Sequence, residues 1–115
     1  MIENLSLITV GILPLIGISF AVKESIRKQH PLYGTRRIEV AHIQDEFLGG
    51  SGERSNLQPL SIPEHLADHV NKAQQATDWR IASRQYGAAH LIATRATPSE
   101  LEEANALIAN LPKKR

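Results

Sequence analysis

Three histidines in this sequence sit where imidazoles could act together. His65 and His69 are four residues apart, just after a helix start. On a helix that spacing places both rings on one face, about one turn apart, which is how a helix presents two nitrogen ligands to a metal ion. His42 closes a stretch of strand character that a hairpin would fold back toward that helix. A strand end beside a helix start is a place where polar side chains can converge on a phosphate. The chain has no cysteine, so any metal must be held by His, Asp, Glu or Asn, a donor set that favours hard or borderline divalent ions such as magnesium, manganese, zinc or nickel. Taken singly, each residue also has a plain structural use. His42 can be a hydrogen-bonded strand histidine, Asn56 can cap a turn, and Gly49, Gly50 and Gly52 can serve a loop. Only their joint spacing points to chemistry. His30 and His90 match no pattern.

The elements that must position these residues are legible from periodicity. Residues 37–43, RIEVAHI, begin in alternation and are rich in β-branched residues, which predicts a strand. Phe47 and Leu48 lead into GGSGERSN, a glycine-rich connection, and a second short strand is expected over 57–60. Ser61 stands three before Glu64 with Pro63 between them, a capping-box pattern for a helix from Ile62 to about Gln75. Thr77 or Asp78 could cap a further helix through DWRIASRQYGAAHLIATRA, in which Ile81, Tyr86, Ala89 and Ile92 recur at helical spacing and Gly87 is a candidate break. Trp79 is expected to anchor the core. Thr97, Pro98 and Glu100 start a last helix whose Leu101, Ala104, Leu107, Ile108 and Leu111 share a face before Pro112.

Length and charge bound the rest. One small domain fits 115 residues, and a second enzyme domain does not. Thirteen basic residues against twelve acidic give a net charge of +1, no global signature of a nucleic-acid binder. The distribution is uneven: Lys23, Arg27, Lys28, Arg36 and Arg37 cluster early, whereas Glu100, Glu102 and Glu103 cluster late. The early cluster is either a phosphate-contacting patch or a solvated face. Residues 5–22, LSLITVGILPLIGISFAV, carry no charge and reach the lower limit for a membrane-spanning helix. Three readings of them stand. A membrane anchor would keep the following basic residues, and the domain after them, in the cytoplasm. A signal peptide would use Ser19 and Ala21 ahead of a cut, although MIEN lacks a positive charge. A soluble or interfacial helix is the third. The expected division is an apolar helix over 1–22, a basic linker over 23–36 that opens as a short basic helix and is broken by Pro31 and Gly34, and a domain over 37–115.

The stretch from Val40 to Lys72, VAHIQDEFLGGSGERSNLQPLSIPEHLADHVNK, resembles the HNH endonuclease superfamily, whose ββα-metal unit is a hairpin followed by one helix. Its matching features are His42 in the first strand, Gly49 and Gly50 after it, Asn56-Leu57 opening the second strand, and EHLADH at the helix. The tail is similar to colicin-type DNases and to short phage and toxin HNH proteins, where a histidine nine after the asparagine is followed by another four later. The resemblance implies an α+β fold and hydrolysis of nucleic-acid phosphodiesters, DNA before RNA. It also implies roles. His42 would be the general base, since an imidazole with its ordinary pKa of about 6.5 is largely neutral at pH 7. Asn56 would hold the backbone around His42, and His65 and His69 would hold one divalent ion. Many family members carry an Asp, Glu or His immediately before the catalytic histidine, where this chain has Ala41. Glu39 is the nearest substitute ligand, although in a regular strand it points to the face opposite His42; Asp45 and Glu46 are also close in sequence. Arg36, Arg37 and Lys72 are the expected nucleic-acid contacts. The alternatives are a binding module that keeps the scaffold without catalysis, and a small membrane-anchored interaction protein.

Overall fold

A computed structural model describes residues 19–113. Ser19 accepts a hydrogen bond from the Val22 amide and so caps helix α1, Phe20–Arg27. Strand β1, Ile38–His42, pairs antiparallel with β2, Leu57–Ser61, in a register that sets Ile38 opposite Ser61 and His42 opposite Leu57. With two strands both are edges, which is why Pro59 is accommodated opposite Val40. Helix α2, Ile62–Gln75, follows β2 without a break. Its start is fixed by the reciprocal box the sequence predicts: Ser61 Oγ accepts from the Glu64 amide and Glu64 Oε1 accepts from the Ser61 amide. Helix α3, Trp79–Ala93, is capped by Asp78, and α4, Pro98–Ala109, by Thr97 and Glu100 in a second capping box. The described residues therefore form an α+β fold of four helices and one two-stranded sheet.

Packing follows from which faces are apolar. Helix α1 and helix α2 both pack against the hairpin, and α3 and α4 pack on α2. The core lies among these last three, where Ile62, Leu66, Ile92 and Ala104 are buried and Val70, Ala93, Ala96, Leu101 and Ile108 pack around them. One sequence expectation meets a correction here. Trp79 is 77% exposed rather than a core anchor. It precedes the buried Gln85 by six residues, which at 100° per residue turns it about 120° away from the buried face of α3. Tyr86 and Leu107 lie in the helices their spacing predicts and are exposed there. The short basic helix expected at the head of the linker is α1, which begins at Phe20; Ile26 is 1% exposed, and Arg27 Nε donates to the Ile38 carbonyl at 3.1 Å. The expectations for residues 1–18 lie outside the described residues; among those described, no helix is long and apolar enough to cross a membrane.

Candidate functional site

The site is built from the exit of β1, the connection 43–56 and the first turns of α2. That connection must return the chain from His42 to Leu57 while keeping its polar backbone satisfied. Glu46–Leu48 forms a short 3-10 turn ending at Gly49, whose φ of 91° suits glycine. Gly50 then packs so closely that a Cβ there would lie 1.7 Å from the Gln44 carbonyl oxygen, and its amide donates to the Asp45 carbonyl at 2.9 Å. Asn56 closes the connection. Its Oδ1 accepts from the Gln44 amide at 2.8 Å, its Nδ2 donates to the carbonyls of Gln44 at 2.9 Å and Ser51 at 2.7 Å, and its own carbonyl accepts from the Ile43 amide at 2.8 Å. Asn56 therefore splints the two residues that follow His42, Ile43 through its backbone carbonyl and Gln44 through its side chain.

On α2, His65 and His69 stack obliquely, with ring centroids 5.1 Å apart. Each ring is held through Nδ1. His65 Nδ1 lies 2.7 Å from Glu39 Oε1, and His69 Nδ1 lies 2.6 Å from Gln85 Oε1. Glu39 is further clamped by Arg95, whose Nε and Nη2 donate to its two oxygens at 2.9 Å each. Burial pushes the Glu39 carboxyl up, but the hydrogen bonds from His65 and Arg95 and the guanidinium charge outweigh it and bring it from 4.5 down to about 2. Ionised Glu39 can only accept, so His65 donates from Nδ1. Among the described residues neither ring has a hydrogen-bond partner at Nε2, and a neutral imidazole ligates a metal through one nitrogen while a hydrogen bond at the other steers it.

The sequence-predicted residues are thus partly brought together. His65 and His69 share a face, and Glu39 reaches His65 as a hydrogen-bond partner with both its oxygens engaged. Ala41 is 2% exposed, so the position where the resemblance expects a ligand holds a buried methyl group. The His42 carbonyl accepts from Lys72 Nζ at 3.2 Å. His42 Nε2 is buried without a hydrogen-bond partner among the described residues, and a buried unpaired polar atom calls for an explanation. Among the described residues, no group of three or more His, Asp or Glu side chains is gathered to hold an ion. Two imidazoles share the α2 face, fewer protein donors than the three or four that a zinc site ordinarily has.

The expected nucleic-acid contacts are all compensated. Arg36 pairs with Glu103 at 2.6 Å and Arg37 with Glu100 at 2.5 Å, while Lys72 pairs with Asp68 at 3.0 Å and Asp45 at 3.5 Å. Two members of the early basic cluster, Arg36 and Arg37, thus meet two of the late acidic one, Glu103 and Glu100, although the two clusters are far apart in sequence. Sequence reasoning missed Gln85. The signal was present: in α3 it occupies the apolar stripe with Ala89 and Ile92, a polar residue where the helix faces its core. Protein-family models, curated proteins and solved structures offer no match to this chain.

Proposed function

We propose that the chain is a metal-dependent endonuclease of the HNH type, hydrolysing phosphodiesters of DNA in preference to RNA. The observation that carries this reading is the pair of imidazoles on α2, each with Nδ1 bound to an acceptor and Nε2 left open, beside a hairpin exit splinted by Asn56. A divalent ion bound there would offset the charge of a phosphodiester and of its departing oxygen. The chain's own residues supply the rest. Asn56 holds the backbone after His42, His42 takes a proton from the attacking water, and Glu39 with Arg95 keeps His65 oriented. Cutting of this kind acts on the backbone and is weakly sequence-specific.

Supercoiled plasmid incubated with magnesium, manganese or nickel tests this. Wild type is expected to nick it, with rates falling by about 10²- to 10⁴-fold in His42→Ala and vanishing in EDTA. Nicking that survives both treatments, or none in wild type, contradicts it. A non-catalytic nucleic-acid-binding module on the same scaffold is the second reading, favoured by the buried methyl of Ala41 and by the lack of a third ligand among the described residues. It expects plasmid binding without cleavage in any metal.

A further inference from the structure

We infer that Gln85 is a positioning residue which, together with Asp45, holds His69 as its Nδ1–H tautomer and fixes Nε2 as the nitrogen offered for ligation. The argument is one of donors and acceptors. Asp45, a carboxylate with Lys72 Nζ 3.5 Å away, only accepts. Gln85 Nε2 lies 2.5 Å from Asp45 Oδ2, so the amide must turn its NH₂ to Asp45. Its Oε1 is thereby presented to His69 at 2.6 Å. A carbonyl oxygen cannot donate, so the shared proton belongs to His69 Nδ1. In the neutral ring the lone pair then sits on Nε2.

Burial gives this chain a single proton arrangement. Gln85 is 1% exposed, and Asp45 and His69 are 8% exposed each. A flipped Gln85 amide would set its oxygen against the Asp45 carboxylate, a repulsion that burial leaves unscreened. The chain also ties three elements together: the connection after β1, the first turns of α2 and the buried stripe of α3. Its consequence for ligation rests on the proposed metal reading, whereas the tautomer does not.

Long-range ¹H–¹⁵N correlation of the imidazoles in the metal-free full chain, at about pH 8 where imidazoles are neutral, reads the tautomer directly. Wild-type His69 is expected to show a protonated Nδ1 and an unprotonated Nε2. Gln85→Leu, its fold checked by circular dichroism, is expected to shift His69 toward Nε2–H and to weaken zinc binding by about 10- to 100-fold. An Nε2–H tautomer in wild type, or no change in the variant, overturns the inference. Should Gln85→Leu not fold, the wild-type spectrum still decides, and Asp45→Asn, which frees the Gln85 amide to turn, is expected to give a mixture where a pure Nδ1–H would count against it. The two readings fail separately. Zinc bound by wild type with His69 as Nε2–H defeats the positioning role, and no zinc bound with His69 as Nδ1–H defeats the metal reading alone.

Discussion

Asn56 shows how much one side chain can be asked to do. The backbone around it presents one donor, the Gln44 amide, and two acceptors, the carbonyls of Gln44 and Ser51. Only a carboxamide matches that set. Asn56→Asp keeps the shape but faces two carbonyls with acceptors, so it is expected to lower stability by about 1–3 kcal/mol and to slow plasmid nicking through the misplaced backbone at His42. Denaturant midpoints and nicking rates check this together, and an unchanged midpoint would show that the splint carries no weight. Gly50→Ala is the matching backbone test. A Cβ against the Gln44 carbonyl forces the connection to move, and the expected result is a destabilised protein with the same secondary structure.

At the scale of elements, the starts of α2 and α4 are set by short-range rules, and the sequence carries them fully. Ser61 and Glu64, and Thr97 and Glu100, satisfy orphan amides reciprocally, so Ser61→Ala should cost about 1 kcal/mol. A loss well below that in urea denaturation would mean the sheet, rather than the cap, fixes where α2 begins. Strand β1, strand β2 and helix α2 were legible for the same reason: alternation, glycine and capping are local signals. What sequence could not give was pairing across distance. Nothing local says that Arg37 will meet Glu100, that Glu39 will be shared by His65 and Arg95, or that Gln85 will reach Asp45. Trp79 misled because its size suggests a core, whereas its phase on α3 turns it outward. The polar Gln85 in an apolar stripe was the better signal, since a buried amide requires partners.

For the whole molecule, these distant pairs bear on acid stability. Hydrogen bonds and opposite charge outweigh burial at Glu39, Glu64 and Glu100, and all three carboxyls are held below their ordinary range. For a carboxyl lowered in the folded state, the stabilisation is complete above the unfolded value and is lost as pH falls through the folded one. The urea midpoint is therefore expected to hold steady above about pH 5 and to fall toward about pH 2, where Glu39 gains its proton. In Glu39→Gln that fall should be shallower; an identical slope would show the cluster with Arg95 and His65 to be without effect. The functional account depends on a simpler point, that the two imidazoles of α2 bind an ion. Isothermal titration of the metal-free protein with zinc or nickel tests it most directly. One ion per chain is expected, with binding lost in His65→Ala and in His69→Ala, and absence of binding in wild type, or equal binding in the double variant, would contradict the account.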